Sequence, residues 1–186
     1  MKASPSGVRL SGGAYRGRVL AVPAGARPSE GRVREALFSI WSERLEGARI
    51  LDLFAGSGAV ALEAVGRGAL FGLAIEGDPR SLTVLAANVE KLGERCVEVR
   101  RATLPAGLSR LVEAGERFDL IFADPPYRFD AYAELIAAIA PLLAESGELA
   151  VEHSGRIDLP SEAANLVRAS VRRYGETALS FYRQMP

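Results

Sequence analysis

The run Ile50-Leu51-Asp52-Leu53-Phe54-Ala55-Gly56-Ser57-Gly58 decides how this chain is read. Its first half is an apolar strand with one acid set in it, the mark of a buried strand. Gly56 and Gly58 then let the backbone pass close to a ligand and turn sharply into a helix, expected from about Ala59 to Arg67. Working outward, Leu70 to Ile75 reads as a second strand ending at Glu76, and Pro79 to Lys91 as a helix. Val97 to Arg100 reads as a strand, Leu104 to Ala114 as a helix, and Asp119 to Phe122 as a strand. A helix from about Ala131 to Leu143 and a strand from Gly147 to Glu152 follow. Val167 to Arg173 and Thr177 to Tyr182 form a closing antiparallel pair around Gly175. Strands alternating with helices imply an α/β fold with a mostly parallel sheet, seven-stranded here, covered by helices on both faces.

The segment before this core has a different character. Residues 8–22 hold two short alternating runs around a Gly-rich turn, which predicts a hairpin with Arg16 and Arg18 on its exposed side. Pro23 to Ser29 reads as a loop, with Ser29 placed to cap a helix in which Val33, Leu37, Ile40 and Trp41 recur at helical spacing through about Leu45. Residues 1–35 contain seven basic residues and two acids in a chain of zero formal net charge, so a basic arm precedes an acidic body. Arg27, Arg32 and Arg34 surround the start of the helix, where cations oppose its dipole unless an anion docks there. The plain alternative is a solvated arm. The expected organisation is one domain over 1–186, with 1–47 as the basic extension and 48–186 as the core.

Apolar residues make up 48% and charged residues 25%, ordinary values for a soluble globular protein. No apolar run approaches the ~20 residues of a membrane span. Met1-Lys2-Ala3-Ser4-Pro5 lacks the apolar stretch of a secretory leader. Cys96 is the only cysteine, which excludes an internal disulfide, suits a reducing cytoplasm, and reads as a small core residue. No repeat, low-complexity segment or linker is visible.

Ligands of such sheets gather beyond the carboxyl ends of the strands. Three of those ends carry chemistry: Asp52 to Gly58, Glu76 with Asp78, and Phe122-Ala123-Asp124-Pro125-Pro126-Tyr127. Pro125 and Pro126 fix φ and lack N–H groups, so the turn is stiff and its carbonyls stay out of a helix. With Asp124 they offer two acceptors to one amino group, while Tyr127 offers a ring face to a flat base. The bland alternative is a proline turn whose Asp caps the next helix. Glu76 follows Gly56 by twenty residues, and its carboxylate can accept both hydroxyls of a ribose. Gly56-x-Gly58-x-x-Ala61 also fits the dinucleotide fingerprint, so a nicotinamide-dependent oxidoreductase is a rival. Against it, Asp52 would repel a pyrophosphate but welcome a cationic amino acid, and no second domain is evident. S-adenosylmethionine, with its ribose, adenine and cationic end, suits Asp52 and Glu76 together.

With these residues in view, the sequence resembles the Rossmann-like class I S-adenosylmethionine-dependent amino-methyltransferases, with Phe54-Ala55-Gly56-Ser57-Gly58 as cofactor loop and Asp124-Pro125-Pro126-Tyr127 as catalytic loop. More closely it resembles the RsmD family of bacterial 16S ribosomal RNA guanine-N2 methyltransferases. That likeness spans nearly the whole chain and includes Ser11-Gly12-Gly13, Arg16-Gly17-Arg18, Arg27-Pro28-Ser29, Arg32-Val33-Arg34-Glu35-Ala36-Leu37-Phe38 and Tyr174-Gly175-Glu176-Thr177-Ala178-Leu179. It departs from the family at Ser29, Glu30 and Gly31, and at Arg101-Ala102, where the family carries an Asn or Asp before the alanine. Arg101 cannot accept from an adenine amino group, which leaves backbone groups near Ala102 or apolar packing for that contact.

The resemblance implies methylation of a guanine N2 in 16S RNA, within the small subunit or an assembly intermediate, by a monomer. It implies cofactor contacts at Asp52, Phe54, Ala55, Gly56, Ser57, Gly58, Glu76, Asp78, Ala102 and Asp124. It implies catalysis at Asp124, Pro125, Pro126 and Tyr127, RNA contacts at Arg16, Arg18, Arg27, Arg32 and Arg34, and no metal. A DNA adenine-N6 methyltransferase using the same loop is the nearest rival, although no insertion is present to read bases. An S-adenosylmethionine-binding RNA chaperone without catalysis is another. His153, beyond a strand end, reads as structural, while Arg128 and Phe129 either touch RNA or begin the next helix.

Overall fold

The computed structural model describes residues 7–23 and 31–185. Strands β1 (Gly7–Arg9) and β2 (Val19–Ala21) pair as an antiparallel hairpin, as the alternating runs predict. Helix α1 (Gly31–Ile40) leads into a single 3-10 turn at Ser42–Arg44. The core then alternates: β3 (Arg49–Leu53), α2 (Ala59–Gly66), β4 (Phe71–Glu76), α3 (Pro79–Leu92), β5 (Val97–Arg101), α4 (Ser109–Glu113), β6 (Phe118–Ala123) and α5 (Tyr132–Ile139). Strands β7 (Leu143–Ser154), β8 (Glu162–Ala163), β9 (Leu166–Tyr174) and β10 (Thr177–Gln184) close the chain.

The main sheet runs β5-β4-β3-β6-β7-β10-β9-β8. The first five strands are mutually parallel, and β10, β9 and β8 join antiparallel. The two-residue edge strand β8 adds an eighth strand to the seven expected. Connections from β3 run outward through β4 to β5, then cross back to β6 on the other side of β3. That reversal leaves a crevice above the carboxyl ends of β3 and β6, the place where doubly wound sheets bind ligands.

Burial follows strand parity. Leu51, Leu53, Ile121 and Val151 pack with Leu135, Ile136 and Ile139 of α5 on one face. Ile50, Leu120, Phe122 and Ala150 pack on the other with Val33, Leu37 and Phe38 of α1 and Val60 of α2. Three helices are shorter than their apolar spacing suggests; of these, α5 stops at Ile139 before a 3-10 turn at Ala140–Leu142. Helix α1 stops at Ile40, which is exposed, because the chain swings Trp41 inward to donate from Nε1 to Glu148 at 2.9 Å. The expected helix from Leu104 is a 3-10 turn at Ala106–Leu108 followed by α4, with Gly107 so close to Ala102 that a Cβ there would meet the Ala102 Cβ at 2.6 Å. Cys96 is exposed rather than in the core, as it precedes the first buried residue of β5.

The basic extension is tied to the core through Glu63 of α2, which is fully buried. Its carboxylate accepts from the Ser11 N–H (3.0 Å) and hydroxyl (2.5 Å), from Arg34 Nε (3.1 Å) and from Arg67 Nη2 (2.6 Å). Burial alone would raise the Glu63 pKa, but the Ser11, Arg67 and Arg34 donors outweigh it and hold the group below the usual carboxylate range. Removing one member of a buried charged network strands the others in low dielectric. Glu63→Ala is therefore expected to lower unfolding stability by roughly 3–5 kcal/mol. Chemical denaturation reads this, and an unchanged midpoint would contradict it.

Candidate active site

The loop after β3 holds an unusual backbone. Phe54, a non-glycine, has φ 60°, and Gly56 and Gly58 have φ 55° and 77°. A left-handed aromatic residue persists only where its surroundings over-determine it, and such positions cluster at ligand sites. Here Ala55 N–H donates to the Ile75 carbonyl (3.0 Å), and the Phe54 ring meets Phe129 edge-on at 5.6 Å. A Cβ on Gly58 would lie 2.3 Å from Leu85 Cδ1, so α2 can start this close to α3 only with glycine. Glu76, at the end of β4, braces the loop: Oε2 accepts the Gly56 N–H (3.0 Å) and Oε1 the Asp78 N–H (2.8 Å). Each carboxylate oxygen has a second lone-pair site for a further donor.

Asp52 points from β3 toward α2, where Oδ2 accepts the Ala61 N–H at 3.1 Å. Burial pushes its carboxyl up to about 7, the Ala61 bond pulls the other way, and the nearby charges of Asp124 and Glu76 add to the rise. Three acids thus share one field at the ends of adjacent strands. That field favours a cation and disfavours a pyrophosphate.

Pairing of β3 with β6 sets Leu53 beside Ala123, and Asp124 N–H donates to the Leu53 carbonyl at 3.3 Å. The Asp124–Tyr127 loop therefore leaves the sheet next to the glycine loop. Phe129 N–H donates to the Pro126 carbonyl (2.8 Å), which closes the turn over Tyr127 and Arg128. Pro125 is buried, whereas Tyr127 is 67% exposed, at the lip of the cleft. The cleft itself has a volume of about 920 Å³. Its lining joins Asp52, Phe54, Ala55, Gly56 and Ser57 to Asp124, Pro125, Pro126 and Tyr127. The far wall comes from Tyr132, Glu152, His153, Ser154, Arg156 and Thr177. Edge-on contacts run from Phe54 through Phe129 to Tyr132 (5.2 Å) and on to His153 (6.4 Å).

His153 is a structural residue. Its Nδ1 sits 2.9 Å from the Ser154 carbonyl and so carries the proton, leaving Nε2 to accept the Ser180 hydroxyl at 2.8 Å. Burial holds its pKa below the usual histidine value. Phe129 belongs to the aromatic wall, and α5 begins only at Tyr132.

Some expected site residues stand elsewhere. Gly58 lies behind the cleft as the buried N-cap of α2. Glu76 touches the cofactor loop without lining the cleft. Ala102 sits beside it, donating its N–H to the Glu76 carbonyl at 3.3 Å. Asp78 caps α3: its side chain accepts the Ser81 N–H (2.8 Å), and bonds from the Ser81 N–H and hydroxyl hold its pKa low. Arg16, Arg18 and Arg32 are exposed, as an RNA contact requires. Arg34 lines the cleft but is only 6% exposed, paired with Glu63 and donating to the Arg9 carbonyl. Arg27 lies outside the described residues. The sequence reading missed Glu152, Ser154 and Thr177 as site residues, although β7 ends at the same edge as β3 and β6.

The fold and the glycine loop define a class I methyltransferase that uses S-adenosylmethionine. The donor set fits that cofactor, since Asp52 and Asp124 line the cleft with Glu76 close behind them, a field that suits a cationic ligand, and the loop's positive-φ glycines let its backbone approach one closely. A family model described as "Conserved hypothetical protein 95" matches residues 8–183, and the chain belongs to this family, the RsmD family. Ribosomal RNA small subunit methyltransferase D of Escherichia coli strain K12 is 33% identical over 181 residues, which covers 95% of this chain and 90% of that protein. The structure of the Escherichia coli protein yhhF superimposes with a TM-score of 0.83 at 34% identity, covering 95% of this chain and 97% of that one. SMU.776, in complex with SAH, shares the fold with a TM-score of 0.70 at 14% identity, over 85% of this chain and 50% of that one. Membership of this family removes the hydride-transfer reading of Gly56-x-Gly58-x-x-Ala61.

The raised Asp52 pKa carries a stability prediction. A carboxyl titrating at about 7 when folded and near 3.8 when unfolded favours folding below about pH 4, and that contribution disappears as pH rises through 7. Asn at this position keeps an acceptor for the Ala61 N–H without the buried charge. Asp52→Asn should therefore raise the melting temperature at about pH 8, by at most about 4 kcal/mol of stability, and leave it nearly unchanged at about pH 4. Thermal melts across this range check the sign.

Proposed function

We propose that this chain methylates the exocyclic N2 of a guanine in 16S ribosomal RNA of the small subunit. The observation that carries the reading is the adjacency of the glycine loop and Asp124-Pro125-Pro126-Tyr127 across the β3–β6 pair. The name of the Escherichia coli relative supports ribosomal RNA as the substrate class. The absence of a sizeable insertion in the core counts against a DNA-reading enzyme. Ribosomal RNA as substrate carries with it a cytoplasmic site of action, and a monomer is carried over from the sequence reading alone.

When bound, S-adenosylmethionine supplies an electrophilic methyl group on a positively charged sulfur. The protein's task is to prepare the nitrogen. The guanine amino lone pair is delocalised into the ring, so N2 is a weak nucleophile. Hydrogen bonds from N2–H to the Asp124 carboxylate and the Pro125 carbonyl favour a tetrahedral nitrogen, with the lone pair turned out of the base plane. Tyr127 stacks on the base, which must be unstacked from the RNA to enter. Asp124 takes one N2 proton, directly or through water, as the nitrogen gains the methyl group, whose departure would leave the bonding electron pair on the cofactor sulfur. Phe54 to Gly58, with Glu76, hold the cofactor end. The rate gain lies mainly in alignment. Asp78 contributes by fixing the start of α3, and Ala102 by backbone contact beside Glu76. Arg16, Arg18 and Arg32 hold RNA phosphates and position the substrate without reading its sequence. Arg27 is assigned to the same surface on its sequence alone.

Two measurements test this. Labelled methyl from S-adenosylmethionine, offered to unmodified small subunits, naked 16S RNA and duplex DNA, should appear in RNA as N2-methylguanine. Asp124→Ala should lower kcat/KM by about 10²–10⁴. Label in DNA alone would contradict the assignment, and cofactor binding without turnover on any substrate would favour the chaperone reading. Separately, an Arg16→Ala, Arg18→Ala double variant should weaken RNA binding and make the slope of log K against log salt shallower by about one to two.

A further inference from the structure

The far wall of the cleft is built to read a base. In the β6–β7 pairing Ala123 stands beside Val151, so the next residues, Asp124 just past the end of β6 and Glu152 near the end of β7, follow side by side. Across β7 and β10, Glu152 pairs with Leu179 and Ser154 with Thr177. Alternation continues the face of Phe122, Ala150 and Leu179, which share one core cluster, into Asp124, Glu152, Ser154 and Thr177. All four line the cleft. They form a row across neighbouring strand ends: a carboxylate, a second carboxylate, then two hydroxyls. Ser154 Oγ accepts the Arg156 N–H at 3.3 Å, so its own proton is directed elsewhere. The His153 ring, held by the Ser154 carbonyl and Ser180, fixes the backbone that carries Glu152 and Ser154.

Guanine presents a matching row on its Watson–Crick edge, with N2–H and N1–H donating and O6 accepting. We propose that Glu152 is the specificity-determining residue of the reaction, accepting the guanine N1–H while Asp124 holds N2–H and Ser154 or Thr177 donates to O6. This rests on the guanine-N2 reading given above. An adenine would set its N1 lone pair against the Glu152 carboxylate, two acceptors face to face with no proton between them, which disfavours it without any steric block. The same row of side chains thus separates guanine-N2 from adenine-N6 chemistry on one catalytic loop.

The test uses small-subunit particles reconstituted on 16S RNA in which the mapped acceptor guanine is replaced by 2-aminopurine. That base keeps the methyl-accepting amino group but has a lone pair at N1 and no O6. The wild-type protein should prefer guanine by roughly 10- to 100-fold in kcat/KM. In Glu152→Gln the amide can donate to the unprotonated N1, so the preference should collapse to about threefold or less, while Glu152→Ala should lose guanine activity and not gain this compensation. A wild-type ratio near one overturns the proposal. So does a ratio unchanged in Glu152→Gln, or equal loss on both bases by folded variants that still bind S-adenosylmethionine. Should neither variant fold, Glu152→Asp, which keeps the carboxylate but draws it back, replaces them: a guanine preference lowered by about tenfold upholds the proposal and an unchanged one overturns it. Absence of N2-methylguanine from the wild-type reaction overturns the guanine reading and this inference with it, whereas guanine methylation with an unchanged ratio defeats this inference alone.

Discussion

Parallel hydrogen bonding between β3 and β6 is the constraint on which the rest of the structure depends. It places Leu53 against Ala123, and so brings two chain segments seventy residues apart to one edge. One segment turns through left-handed glycines toward α2, and the other halts at two prolines. On the proposed reading neither loop can do the chemistry alone, because one would hold the methyl donor and the other the amino group. The reversal of strand order on either side of β3 keeps the space above them open.

This arrangement carries an electrostatic cost that the sheet around it offsets. Asp52 is buried, and its carboxyl is lifted toward neutrality by burial and by Asp124 and Glu76. A protein selected for stability alone would not place three acids there. Their mutual repulsion is relieved when a cation binds, so the strained field of the ligand-free protein is also its selectivity. The buried Glu63 network works in the opposite sense. It holds its charge because Ser11, Arg34 and Arg67 converge on it, and it fastens the basic hairpin beside the cleft.

Much of this was legible in the sequence, for identifiable reasons. The alternation of apolar runs with helical spacing gave the core elements to within a few residues, since burial on two faces leaves a strong pattern. Gly56, Gly58, Asp124, Pro125 and Pro126 could be read because their backbone properties are local. Arg34 could not, because its role is decided by Glu63, twenty-nine residues away and visible only once α1 lies on α2. Asp78 was expected among the cofactor contacts; that it caps α3 through the Ser81 N–H depends on the path of the chain into that helix. Cys96 was misread from composition, which knows nothing of strand edges. Glu152, Ser154 and Thr177 stayed hidden because their meeting depends on register between β6, β7 and β10, a tertiary quantity that no run of sequence contains.

The measurement that bears most directly on the account is a crystal structure with S-adenosylhomocysteine bound. The account predicts the ribose hydroxyls on the Glu76 carboxylate, the amino acid end over Gly56 to Gly58 near Asp52, and the sulfur facing Asp124 to Tyr127. A cofactor seated away from the β3–β6 crevice, or with its sulfur turned from the Asp124 loop, would contradict it.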